Sequence, residues 1–193
     1  DNLEMLARQC EGTPAQPALE HARRCWEALD GALAPPRAGQ EALPRIDALA
    51  GRLLDAAEQL TQSLQDASGR RALHIVNLCG RQRMRVQRIA KLGLLAALAD
   101  QRASADAAAA ETAALLGEFE VAQRELENTP LRSPEIREAL AAIGDEWLRL
   151  LGGVRAVQTA DGRRALVHAS ETLLERLDVL TAAYEHSLQV ILG

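Results

Sequence analysis

"NLCGRQRMRVQRIAK", residues 77–91, is the stretch whose reading decides the fold. Its apolar members Cys79, Val86 and Ile89, with Ile75 before them and Gly93 after, recur at helical spacing and can face a core. No proline or turn cluster breaks the chain between Pro44 and Asp100, so the stretch lies deep inside a helical segment predicted over 41–101. Pro44 falls in the first turn, where a missing N–H is harmless. Gly51, Gly69, Gly80 and Gly93 each cost roughly 1 kcal/mol relative to Ala in a helix interior. One long continuous helix, softest at "DASG" (66–69), is the simplest reading.

Working outward, turn signals at "EGTPAQP" (11–17), "APPRAG" (34–39), "NTPLRSP" (128–134) and "TADG" (159–162) separate further helical patterns near 18–34, 104–127, 134–157 and 162–192. Ser133 before Pro134 predicts an N-cap with proline at the first helical position. With 48% hydrophobic and 25% charged residues, the composition is that of a folded domain and not of a disordered tail. Four aromatics in the chain, Trp26, Phe119, Trp147 and Tyr184, argue against an aromatic-rich sheet and against a stacking platform for single-stranded nucleic acid. The expected class is all-α. No uncharged apolar run approaches the ~20 residues that span a bilayer, "LGLLAALA" (92–99) being the longest, so any membrane association comes through segments outside this chain. With no initiator Met and no leader peptide, Asp1 reads as a processed or cut end.

An internal repeat accounts for the long central helix. "EGTP" (11–14) recurs as "ENTP" (127–130), "WEALDGAL" (26–33) as "WLRLLGGV" (147–154), and "LLDAAEQLT" (53–61) as "LLERLDVLT" (173–181). The expected organisation is tandem modules sharing that helix: residues 1–66 form the rear part of a first, incomplete module, and 67–193 a complete antiparallel four-helix bundle. The predicted core of the second module is Leu116, Phe119, Leu126, Ile136, Leu140, Ile143, Trp147, Leu150, Leu166, Leu173, Leu177, Leu180 and Tyr184. Trp26 and Trp147, at equivalent repeat positions, are expected as core anchors. Cys10, Cys25 and Cys79 are expected as small, mostly buried apolar residues, although Cys10 and Cys25 could meet across a helical hairpin.

Charge is distributed unevenly. The chain's formal net charge is −5, yet between Asp66 and Asp100 there is no acid and there are seven cations: Arg70, Arg71, Arg81, Arg83, Arg85, Arg88 and Lys91. On one helix this makes a focused positive field. Asn77, Arg81, Met84, Arg88 and Lys91 form one stripe, with Gly80, Arg83, Gln87 and Ala90 beside it. Amides interleaved with guanidinium groups make a donor-rich surface suited to a small oxyanion. The competing reading is a solvated basic face whose arginines pair with acids on neighbouring helices. Nucleic acid is excluded as a partner by a patch confined to one helix of an acidic chain.

The same residues carry a resemblance. "NLCGRQRMRVQRIAK" resembles the "NLAGRQRM-SQRIAK" signature of the N-terminal sensory domain of type IV pilus methyl-accepting chemotaxis transducers, which is similar to the sensor domain of nitrate/nitrite-responsive histidine kinases. The likeness continues at Phe119, Leu126, Trp147, "LL" (173–174) and Tyr184-Glu185. It implies an antiparallel four-helix bundle, periplasmic or otherwise extracytoplasmic, working as a homodimer with the signature helices facing each other. It implies that Arg83 grips nitrate or nitrite together with its symmetry mate, that Gly80 permits close helix approach, and that Asn77, Arg81 and Gln87 are supporting polar groups. Cys79, Arg85 and Val86 depart from the usual Ala, Leu and Ser.

Catalytic chemistry is not legible. His21, His74, His168 and His186 show neither Glu-x-x-His nor His-x3-His pairing, and no nucleophile triad or phosphate loop is present. The expectation is a non-enzymatic sensor of a small oxyanion, without cofactor or metal. The alternative is a structural or protein-interaction bundle with no small-molecule ligand.

Overall fold

The computed structural model describes the backbone of residues 6–8, 10–33, 42–68, 71–98 and 102–192, and the side chains of these except 67–73, 102–105 and 191–192. Among the described residues the chain is helical and contains no strand, as expected. Besides the helical residues 6–8 and 10, the described residues form, in chain order, α1 (Gln16–Leu33), α2 (Leu43–Ser68), α3 (Arg71–Leu98), α4 (Arg102–Glu127), α5 (Pro134–Arg155) and α6 (Ala160–Leu192). Residues 43–68 and 71–98 are helical as expected; the join at 69–70, and with it the expected continuity of one long helix, lies outside the described residues. The chain divides into two compact units, Asp1–Leu73 and His74–Gly193.

In the first unit α1 packs on α2, and a small core of Cys10, Ala15 and Leu19 gathers Leu6, Ala7, Leu60 and Leu64 around it. The "EGTP" turn is closed by the Thr13 N–H donating to the Cys10 carbonyl at 3.0 Å. Gly12 adopts φ +71° there, a left-handed conformation natural to glycine. The later "ENTP" turn is built alike, with the Thr129 N–H donating to the Leu126 carbonyl at 3.2 Å. Trp26 corrects an expectation: it is 48% exposed, not a core anchor, and the exposed Leu33 lies on the same helix. Its counterpart Trp147 is buried because Phe119 of α4 stacks on it, ring centroids 4.0 Å apart and 11° from parallel. No aromatic ring covers Trp26 among the described residues. Cys10 is buried and free; Cys25 is free but only half-buried, 3.9 Å from His21 Nε2.

The second unit is a bundle of α3–α6 around one continuous core. Each helix contributes a stripe spaced by three, four or seven: Cys79, Val86 and Ile89; Leu115, Phe119, Ala122 and Leu126; Ile136, Ile143, Trp147 and Leu150; Leu166, Leu173, Leu177, Leu180 and Tyr184. The predicted core holds except that Leu116 and Leu140 are half-buried at its margin, while their neighbours Leu115 and Ala139 take the inner positions. Ser133 caps α5 as expected, its Oγ accepting from the Ile136 N–H at 3.3 Å with Pro134 in the first turn. The same hydroxyl, first among the causes, lowers the Glu135 carboxyl below its ordinary pKa. Two glycines let helices meet at Leu166. A Cβ on Gly153 would lie 2.7 Å from the Leu166 backbone, and one on Gly93 2.9 Å from Leu166 Cδ2. The Tyr184 hydroxyl, buried, donates to the Leu126 carbonyl at 2.9 Å and ties α6 to the end of α4; burial pushes its pKa up to about 12.

Candidate functional site

The outer face of the second unit is set by how α3 beds into the core. Its inward stripe runs Ile75, Cys79, Gln82, Val86, Ile89, Gly93, a continuous 4-3-4-3-4 spacing with an amide in the middle. Gln82 is fully buried; its Nε2 donates to the Phe119 carbonyl at 3.0 Å, and its Oε1 accepts from Arg85 Nη1 at 3.2 Å. It is therefore part of the bundle interior and not of a donor-rich surface. The gap between Cys79 and Val86 in the apolar pattern is the signal that locates it. Behind it, burial pushes the Cys79 thiol up to about 12.

Arg83, Arg85, Arg88 and His74 splay to both flanks of α3. On one side they meet α4, whose Glu111, Glu118 and Glu125 recur every seventh residue. Arg88 pairs with Glu111 at 2.5 Å, Arg85 with Glu118 at 3.2 Å, and His74 with Glu125 at 2.7 Å. The pairs run in opposite directions along the two helices, which fixes α3 and α4 as antiparallel. On the other side Arg83 reaches α6, its Nη1 lying 2.8 Å from Asp178 Oδ1. Three arginines of an acid-free stretch are thus paired by acids from neighbouring helices, which the local sequence does not display. Arg85, the residue that departs from the resemblance, is the one locked between Gln82 and Glu118.

The predicted site residues do not all come together. Arg81 and Arg83, two apart, point to different sides of the helix. Arg81 is half-buried, with a buried Nε that makes no hydrogen bond among the described residues. Arg83 is exposed, as is Gln87, while Asn77 and Gly80 are half-buried. At Gly80 an added Cβ meets nothing within 4 Å among the described residues, so the described part of the bundle leaves open space over that part of α3. Of the histidines, His168 and His186 are exposed and His74 bridges α3 and α4. Among the described residues no group of three or more His, Cys, Asp or Glu could hold a metal ion, and no helix is long and apolar enough to cross a membrane.

A family model for the type IV pili methyl-accepting chemotaxis transducer N-terminal domain (PilJ) matches residues 60–173, which take in all of α3, α4 and α5. No curated protein and no solved structure matches the chain. The match covers more than half of the 193 residues and contains the signature helix, its acidic partners on α4 and the Phe119–Trp147 stack. The chain belongs to the PilJ family of chemotaxis transducer N-terminal domains, a non-catalytic family of sensory modules in signal transduction.

Proposed function

We propose that the second unit senses a small oxyanion, nitrate or nitrite, at the outer face of α3, and that two copies of the chain meet across this face. Arg83 is the primary ligand; Gly80 gives room for a second helix, and Asn77, Arg81 and Gln87 supply polar support. The observation that carries the reading is the Arg83–Asp178 pair: the two side chains are 47% and 55% exposed. An ion pair this open contributes about 0–1 kcal/mol, so an anion can take the place of Asp178. That exchange would release the contact between the signature helix and α6, and a small displacement of α6 would carry the signal. Transmission requires the anion to bind the released arrangement more tightly than the paired one. The family resemblance supports an extracytoplasmic placement for the module.

Calorimetry with nitrate, nitrite and sulfate on the wild-type chain and on Arg83→Ala tests this reading. Saturable heat with an anion, lost in the variant, is the expected result; absence of heat with all three contradicts it. Sedimentation with and without anion tests the shared site, which requires a dimer in at least one condition. The intramolecular pairing of Arg83, Arg85 and Arg88 favours a second reading, a protein-interaction bundle without a ligand. Under that reading an acidic protein partner, and no free anion, perturbs Arg83.

A further inference from the structure

We propose that Glu118 is a two-position switch on the seam between α3 and α4, held by Arg85 in the described arrangement and exchangeable to Arg81, one helical turn away. The exchange belongs to the bundle itself and stands whether or not an anion binds at Arg83. The register of the seam carries it. His74 and Arg88 lie fourteen residues apart on α3, and the acids they meet, Glu125 and Glu111, lie fourteen apart on α4. Midway between the two cations is Arg81, and midway between the two acids is Glu118. Seven residues are close to two full helical turns. Arg81 therefore shares a stripe with His74 and Arg88, as Glu118 does with Glu111 and Glu125, and the outer rungs set Arg81 opposite Glu118.

The middle rung is nevertheless made elsewhere. Glu118 Oε2 accepts from Arg85 Nε at 3.2 Å. Arg81 forms no ion pair among the described residues, and its buried Nε has no acceptor there. Gln82 supplies the reason. Its buried amide donates to the Phe119 carbonyl at 3.0 Å and accepts from Arg85 Nη1 at 3.2 Å, so three hydrogen bonds close a ring through Gln82, Arg85, Glu118 and Phe119. The ring draws Glu118 toward Arg85 and out of the register of its neighbours. Each setting thus has its own favourable contact: the Arg85 setting completes the ring, and the Arg81 setting aligns the rung and pairs a cation otherwise left alone. Residues four apart on a helix have Cβ atoms about 5–6 Å apart, so Glu118, whose side chain is 57% exposed, exchanges by a change of rotamer. Whichever arginine it leaves becomes the uncompensated charge, which moves the strongest part of the positive field along α3.

The test measures the cost of Glu118→Gln to the folding equilibrium of the full chain at low salt, in the wild type, Arg81→Gln, Arg85→Gln and Arg81→Gln/Arg85→Gln. The expected cost is a loss of about two- to fivefold, the worth of one open ion pair, in the first three, because Glu118 moves to Arg81 when Arg85 is gone; in the double variant the cost vanishes. A cost that vanishes with Arg85→Gln alone shows that Glu118 serves Arg85 only and overturns the proposal. One that persists in the double variant shows that it acts through neither arginine, and overturns it as well. NMR of the arginine side chains gives a second readout. The Arg81 Nε–Hε resonance should move on Arg85→Gln and should not when Glu118→Gln is also present; any other pattern contradicts the exchange. Should Arg85→Gln fail to fold, Arg85→Lys takes its place in the NMR comparison, since an ammonium keeps the charge but lacks the fork that bridges Gln82 and Glu118.

Discussion

At Gly153 and Gly80 the same residue type answers to different neighbours. Gly153 sits against the Leu166 backbone, so Gly153→Ala should destabilise the second unit by about 1–3 kcal/mol, the usual cost of overpacking. Gly80 faces open space among the described residues, so Gly80→Ala should stabilise the second unit by roughly 0.5–1 kcal/mol through helix propensity alone. Chemical denaturation of the two variants checks both; a destabilising Gly80→Ala at concentrations where the chain is monomeric would contradict the described packing. The thiols make a similar contrast. Cys79 is fully buried and its pKa is raised by burial from 9.0 to about 12, whereas Cys25 is half-buried. The folded state therefore keeps the Cys79 proton where the unfolded chain releases it. That contribution to stability is complete below pH 9 and is lost as the pH rises toward 12. A thiol reagent at neutral pH should label Cys25 in the native protein and Cys79 only on unfolding; comparable native rates would contradict this. Residue environments were only partly legible in the sequence. Apolar periodicity located Cys79, Val86 and Ile89, but Gln82 was hidden, because an amide within a basic stretch looks like surface until the missing position in the core stripe is counted.

Between helices, the α3–α4 pairing rests on two kinds of contact of different strength. The Arg88–Glu111 pair is partly exposed, so Glu111→Gln should cost under about 1 kcal/mol and less at high salt. Gln82→Leu removes a buried donor from the Phe119 carbonyl and an acceptor from Arg85; it should cost about 1–3 kcal/mol with little salt dependence. Denaturant melts at low and high salt distinguish these outcomes. The positions of α1 and α4–α6 followed from turn residues and caps, and lie within a few residues of expectation. The pairing of the α3 arginines did not, because their carboxylates come from other helices. Yet the spacing of Glu111, Glu118 and Glu125 by sevens marks an acidic edge on α4 that the sequence already contains. Trp26 failed as a core anchor for a similar reason: equivalence in a repeat does not supply the ring that would cover it.

For the molecule as a whole, the bundle architecture was legible because periodicity, caps and short connections agree on it. The site was less so: five residues singled out together are distributed by the helix over different sides, and the one exposed arginine among them is tethered to α6. Function then depends on whether that tether can be exchanged for a guest. In this account Asp178 competes with the anion for Arg83, so its neutralisation should favour binding. The most direct measurement is a calorimetric comparison of nitrate affinity in the wild type, Asp178→Asn and Arg83→Ala. The account predicts that Asp178→Asn binds more tightly than wild type, by up to about fivefold, the worth of an exposed ion pair, and that Arg83→Ala does not bind. Equal affinities in all three, or no binding in any, would contradict it.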